Sequence, residues 1–172
     1  RSVTWDPVRD KVTLHTLAII RDGQRIDLLK QGQDVLVLRR EKNLERAMLD
    51  GRMTASIQIK DLQVGDIVDW AFTQEHKEAL LGGRTNDFET MAWSGVAGRY
   101  RARLLWPDGT PLTWRITPGF PQPKTSKAGK INELLVDVAN AKPPKPPIGA
   151  PIRFQRVGML EATTYTGWDD IS

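Results

Sequence analysis

Hydrophobic and polar residues alternate along most of this chain, the pattern expected of half-buried β-strands. Across residues 11–20 every second side chain would share one face of a strand. Asp22-Gly23 follows and can supply the positive φ values of a tight hairpin turn. Residues 24–29 are therefore predicted to return antiparallel, which gives a first β-hairpin.

Alternation or short β-rich apolar runs predict eight more strands, at 33–40, 52–60, 67–73, 88–93, 96–106, 111–117, 131–139 and 152–164. Trp106-Pro107-Asp108-Gly109 predicts a second hairpin turn, with 111–117 as the returning strand. Helical spacing is confined to residues 41–49, where a short helical turn is expected. We therefore predict an all-β fold, mainly an antiparallel β-sandwich, with at most one or two short helices.

Length and charge fit a folded protein with a weakly basic surface. The 172 residues suit one self-supporting domain, predicted to span 1–166, and the net charge is +4. Most of the local basic excess lies between Pro121 and Arg156, around a proline cluster at 143–151. Proline is disfavoured in helix interiors and in central strands, so this stretch is predicted to be an exposed, extended loop. Solvation of that loop explains the basic charge more simply than a nucleic-acid partner.

The inventory of reactive side chains is small. There is no cysteine, which excludes disulfides, cysteine-ligated zinc and cysteine nucleophiles. The two histidines, His15 and His76, lack metal-ligand spacing, and the Gly82-Gly83-Arg84 stretch lacks the Lys-Ser/Thr of a phosphate loop. His15 is expected to be a packed or edge residue, and His76 to lie in a polar loop. No apolar run is long enough to span a membrane.

Acidic pairs occur at Asp66 and Asp69 and at Asp169-Asp170, and structural roles are favoured for all four. Neighbouring carboxylates on a strand point to opposite faces and cannot converge on one bond. We predict no catalytic residue, no cofactor site and no metal site in this chain. A hydrolase using Asp66 or Asp69 is the weakest alternative, because no partner group can be named.

Six tryptophans are the most distinctive feature of the composition. Those within predicted strands are expected to pack in the core, whereas Trp168 lies near the C-terminus and is predicted to contact a neighbouring domain. An alternative is a free-standing module that binds glycans, peptides or nucleic acid on a sheet face. Such a face would combine aromatic residues with the arginines Arg99, Arg101, Arg103 and Arg115.

Several ordered stretches resemble one bacterial family, the uncharacterised β-rich domain immediately N-terminal to transglutaminase-like domains in exported proteins. The most specific stretch is residues 59–70, which is similar to the family pattern L-x-D-x-x-x-G-D-x-[VI]-[ED]-[YW]. It places the structural motif at Asp61, Gly65, Asp66 and Trp70. Other matching pieces are 14–15, 20–24, 38–41, 44–45 and 49–55, and the resemblance covers most of the chain from Lys11 onward.

The C-terminal residues are similar to the junction at which that domain ends and the transglutaminase-like domain begins. The resemblance implies that 167–172 starts a linker or first helix, with Thr166 as its N-cap and Trp168 and Tyr165 as candidate interdomain contacts. It also implies that the domain lacks some N-terminal strands, that the protein is exported or periplasmic, and that the Cys-His-Asp triad belongs to a domain outside this chain. The expected role is non-catalytic: packing on that domain or positioning a protein or peptide substrate for it.

Overall fold

The structure is a computed structural model that describes residues 1–39, 47, 50–91, 97–142, 148–149, 151 and 158–170. The chain divides into two compact units, Arg1–Leu80 and Leu81–Ser172. Each unit contains two three-stranded antiparallel sheets, which confirms the all-β prediction. The described residues form two 3₁₀ helices of one turn each, Ala79–Leu81 and Trp168–Asp170. The predicted domain boundary at residue 166 stays a prediction.

The first unit contains six strands. They are β1 (Ser2–Trp5), β2 (Asp10–Arg21), β3 (Gln24–Asp27), β4 (Leu36–Arg39), β5 (Met53–Ser56) and β6 (Ile67–His76). One sheet has the order β3-β2-β6 and the other β1-β5-β4. The β2–β3 hairpin matches the prediction, since Asp22 (φ 50°) and Gly23 (φ 75°) both take the left-handed conformation of its turn.

Apolar side chains of β2 organise the core of the first unit. Leu17 and Ile19 are buried with Leu28 and Ile57, and Trp70 of β6 packs against this cluster. Trp70 lies opposite Leu17 in the β2–β6 register, so the last residue of the family-like motif contributes directly to the core. A register shift between Leu14 and Thr16 bulges the strand at His15.

The second unit contains β7 (Asn86–Met91), β8 (Ala97–Pro107), β9 (Thr113–Ile116), β10 (Lys124–Ala128), β11 (Ile131–Ala141) and β12 (Gly158–Thr163). The sheets have the orders β10-β11-β8 and β7-β12-β9. Leu134 and Val136 from the first sheet pack with Leu160 from the second and with Phe120. Two sheets sharing one core in this way form a sandwich.

The predicted hairpin between β8 and β9 is wrong. β8 pairs with β11, placing Leu104 opposite Leu134, whereas β9 pairs with β12, placing Ile116 opposite Leu160. The chain thus crosses from one sheet to the other after Pro107. The backbone N–H of Asp108 instead donates to the carbonyl of Lys130, in the β10–β11 turn.

Two strands, β1 and β10, were not predicted, and β6 runs three residues further than expected, so His76 ends a strand and does not lie in a loop. Several predicted features lie outside the described residues. These are the helical turn at 41–49 apart from Ala47, residues 152–157 of the last predicted strand, Trp93, and the prolines at 143–147. None of the helices found in the described residues has the length and apolar character that a membrane span requires.

Candidate functional site

The 3₁₀ helix at the end of the described chain presents a nearly bare indole. Trp168 is 87% exposed, whereas the other described tryptophans are half-buried or, for Trp114, 38% exposed. Single exposed apolar side chains are common on protein surfaces, but tryptophan in particular is enriched at binding hot spots. Trp168 is thus placed as an interaction site requires, although its role as an interdomain contact stays a prediction.

Arg84 anchors the segment that carries this indole. Its Nη2 donates to Oδ1 of Asp170 at 2.8 Å, and its Nη1 donates to the carbonyl of Thr164 at 2.8 Å. Thr164 is itself buried and exchanges hydrogen bonds with Thr85, from Thr85 N to Thr164 Oγ1 (2.8 Å) and from Thr164 N to the Thr85 carbonyl (2.9 Å). The segment therefore has a fixed conformation on its own unit.

The second oxygen of Asp170 closes the turn around Trp168. Oδ2 accepts hydrogen bonds from the backbone N–H of Thr166 at 2.6 Å and from its hydroxyl at 2.7 Å. These two bonds lower the pKa of Asp170, the backbone bond most, and Arg84 lowers it further. The expected N-cap is thus reversed, because the Thr166 hydroxyl donates and Asp170 supplies the acceptor. Tyr165 is half-buried in this segment, and its N–H donates to Thr163 Oγ1 at 3.2 Å.

The family-like motif forms a second organised region, in the first unit. Arg21 donates from Nε to Oδ1 of Asp66 at 2.8 Å and from Nη2 to Oδ2 at 2.7 Å, a bidentate pair. The Asp66 side chain is 2% exposed and also accepts the Gln63 N–H at 2.8 Å. Arg21 first, and then the Gln63 N–H, lower the pKa of Asp66 to about 2.

Two further motif residues, Gly65 and Asp61, have positive φ angles and lie close to this pair in the chain. Gly65 (φ 99°) lies in the turn closed by the hydrogen bond from Asp66 N to the Gln63 carbonyl, at 3.2 Å. Asp61 (φ 55°) directs its carbonyl to Nη2 of Arg21 at 2.9 Å. Asp61 and Asp66 of the motif therefore meet at Arg21, a residue that the sequence pattern does not single out. Its position directly before the Asp22-Gly23 turn is the signal that could have identified it.

A cleft of about 430 Å³ lies beside the motif. We call it the Arg21 cleft. Three of its lining residues are aliphatic, and we call them the floor: Ile19, Ile26 and Leu28. The other described lining residues, which we call the rim, are Arg21, Gln31, Gly32, Gln33, Asp34, Lys60 and Asp61. Its volume falls within the range of small-ligand sites in proteins.

The histidines and the other acidic residues have structural partners. Nε2 of His15 lies 2.7 Å from Oγ1 of Thr73, and Nδ1 of His76 lies 2.6 Å from Oδ1 of Asp10. Asp69, half-exposed, pairs with Arg25 at 2.5 Å. No group of three or more His, Asp or Glu side chains within the described ranges is arranged to hold a metal ion.

The arginines of the proposed ligand face are paired with carboxylates. Arg99 and Arg101 lie 2.5 and 3.8 Å from Asp137. Arg103 pairs with Glu133, and Arg115 with Glu161. Each cation therefore has a carboxylate beside it, which reduces the attraction of these faces for a polyanion.

Comparison with protein families identifies the chain. Residues 1–145 match the family model described as a domain of unknown function with solved structure, DUF3857. The chain belongs to this family. The DUF3857 match covers every strand of the first unit and all of the second except β12. No curated protein matches the sequence.

One solved structure is similar over 96% of the chain, with a TM-score of 0.77 and 14% sequence identity. It is the crystal structure of a protein from Parabacteroides distasonis ATCC 8503 described as a "putative protease". At this identity the likeness shows a shared fold. The DUF3857 chain spans 32% of the length of that protein.

Proposed function

We propose that this DUF3857 chain is a non-catalytic accessory domain that packs on a transglutaminase-like domain C-terminal to it in the parent protein, or positions substrate for it. The single observation that carries the proposal is Trp168, an exposed indole on a segment that Arg84 fixes to the body of its unit. Docking through such a residue costs little conformational entropy, because the backbone around it is already ordered.

The absence of cysteine from this chain supports the assignment of catalysis to the neighbouring domain. Transglutaminase-like enzymes act through a cysteine thiolate, and this chain has none, so the acyl-transfer or hydrolytic step would belong to the neighbouring domain. The resemblance to exported proteins supports a periplasmic or otherwise exported location for both domains. The similarity to a much longer protein described as a "putative protease" is in keeping with this arrangement.

The alternative of a free-standing glycan, peptide or nucleic-acid module receives less support. Pairing of Arg99, Arg103 and Arg115 with carboxylates works against nucleic acid on those sheet faces. In the described parts of the strands, no second tryptophan is as exposed as Trp168. Stacking of sugars or bases on a tryptophan of these strands therefore receives little support.

The test is a binding experiment between the two domains. The transglutaminase-like domain of the parent protein, produced separately, is titrated with this chain in a calorimeter. The proposal expects saturable binding with one-to-one stoichiometry and no amide hydrolysis by this chain alone. Absence of binding between the two domains, or hydrolytic activity of this chain alone, contradicts the proposal.

A further inference from the structure

We infer that the Arg21 cleft binds an extended peptide, with an aliphatic side chain on its floor and a main-chain carbonyl on Arg21. This deepens the proposed function, on which it rests, because it assigns the substrate-positioning role to a place and the substrate to a chemical class. The cleft and Trp168 lie in different units, so the two roles can be tested separately.

Arg21 carries the inference because it is fixed and only partly used. A guanidinium has five N–H donors. One on Nε and both on Nη2 donate to Asp66 and to the Asp61 carbonyl. Within the described residues the two donors on Nη1 have no hydrogen-bond partner, and the side chain lines the cleft. Donors held in place and left unpaired suit an incoming oxygen acceptor.

The charge balance favours a neutral acceptor over an anion. The carboxylate of Asp66 already compensates the charge of Arg21, so the Nη1 donors offer hydrogen bonds with little net attraction for phosphate or sulfate. Asp34 and Asp61 add negative charge to the rim, against one further cation, Lys60. A peptide carbonyl suits these donors, and a basic side chain on the peptide would suit the rim.

Backbone and side-chain hydrogen bonds hold Gln33 and Leu28, two residues that line the cleft, in place without a ligand. The Gln33 backbone N–H donates to the Leu28 carbonyl at 2.9 Å, and its side-chain Nε2 donates to the Gln58 carbonyl at 3.2 Å. Leu28 in turn donates to Leu17 of β2 at 3.0 Å. Among the described residues that line the cleft, none has an aromatic ring on which a sugar could stack. These features favour a peptide with a branched aliphatic residue.

The experiment uses this chain, labelled with ¹⁵N, and the blocked peptide acetyl-Gly-Leu-Lys-amide as the probe. We expect amide shifts confined to the two cleft walls, residues 26–34 and 60–61, with affinity in the millimolar range or tighter. Arg21→Lys keeps a cation beside Asp66 but removes the Nη1 donors, and should weaken binding at least tenfold. Should that variant fold poorly, Gln31→Trp fills the cleft from an exposed wall position and should have the same effect. Lys130→Ala, exposed in the other unit, is the matched control and should bind as the wild type does.

Three results overturn the inference. They are no shifts at peptide concentrations of about 10 mM, the same shifts with chitotriose in place of the peptide, and unchanged affinity in both cleft variants. Trp168→Ala separates the two proposals, since it should leave peptide binding intact. Peptide binding without domain docking would refute the accessory role alone, and docking without peptide binding would refute the cleft alone.

Discussion

Arg21 and Asp66 form a bidentate ion pair that joins the end of β2 to the turn before β6, with hydrogen bonds of 2.8 and 2.7 Å. The carboxylate is 2% exposed and accepts a third hydrogen bond from the Gln63 N–H. A buried carboxylate with three donors must remain ionised for the arrangement to persist. The family-like motif is therefore a structural element. It also holds Arg21 in a fixed position beside the Arg21 cleft.

This ion pair should make stability depend on pH in the acid range. The folded-state pKa of Asp66 is about 2, below its ordinary value of 3.8. The stability that the pair contributes is therefore present above pH 3.8 and is lost as the pH falls through 2. Asp66→Asn removes the charge at every pH, so its deficit in free energy of unfolding should be largest above pH 3.8 and shrink towards pH 2. Urea titrations of both proteins across this range measure the deficit.

Asp69→Asn is the matched control for that experiment. Asp69 lies three residues further along and pairs with Arg25, but its side chain is 41% exposed. Exposed ion pairs contribute little to stability, so its deficit should be the smaller of the two. A deficit of Asp66→Asn that is constant from pH 2 to pH 7 would show that its ionisation is not what stabilises the turn.

The core of the second unit should depend strongly on Leu134. This side chain is 0% exposed and packs between the two sheets, whereas Leu105 of the neighbouring strand is 47% exposed. Leu134→Ala should cost about 2–5 kcal/mol of unfolding free energy, and Leu105→Ala much less. Denaturant titration of the pair checks this, and equal losses would contradict the sandwich core described here.

The backbone around Gly158, at the start of β12, leaves little room for a side chain. A Cβ there would lie 3.0 Å from the Gly119 carbonyl oxygen and 3.1 Å from the Phe120 nitrogen, both backbone atoms. Gly158→Ala should therefore destabilise the protein by about 1–3 kcal/mol. Gly98→Ala is the control, because nothing lies within 4 Å of its Cβ and its φ is not positive. Thermal unfolding that ranks the two variants equally would refute the close approach.

Removing the Arg84 anchor should loosen the Trp168 segment without unfolding its unit. Arg84→Ala deletes the hydrogen bonds to Asp170 and to the Thr164 carbonyl. Amide hydrogen exchange at Thr166 and Asp170 should then become faster, while exchange in β11 stays slow. Unchanged exchange at both positions would mean that Arg84 does not order the segment.

Local turn chemistry made part of the fold predictable. Asp22-Gly23 specifies a hairpin between adjacent strands, and the structure forms it. The same reasoning failed at Pro107, because the partner of β8 is β11, whose residues lie far along the chain. Turn residues show where a strand ends, but the next pairing is decided by which apolar faces meet in the core. The pairing of Leu104 with Leu134, in the core of the second unit, is an example.

The strand β10 could not be predicted from its pattern for a different reason. All five of its residues, Lys124–Ala128, are exposed, so no alternation records a buried face. It lies at the edge of its sheet, where lysine side chains discourage pairing with other chains. The strand forms through backbone pairing with β11, and the polarity of its side chains does not indicate this pairing.

The candidate site was predictable only in part. The position of Trp168 near the C-terminus suggested exposure, and the indole is exposed. Its anchor is not predictable from the pattern, because Arg84 and Asp170 are 86 residues apart and nothing in Gly82-Gly83-Arg84 indicates a partner near the C-terminus. Contacts across such distances depend on the sheet order, which the sequence pattern does not contain.

The most direct test of the accessory role compares two truncations of exposed apolar side chains. Trp168→Ala and Val64→Ala are each titrated, as is the wild type, against the separately produced transglutaminase-like domain of the parent protein. Both variants should keep wild-type stability to within about 0.5 kcal/mol, since neither side chain is in a core. Trp168→Ala should weaken domain binding at least tenfold, and Val64→Ala should leave it unchanged. Equal affinity of all three proteins, or a large loss of stability in Trp168→Ala, would contradict the account.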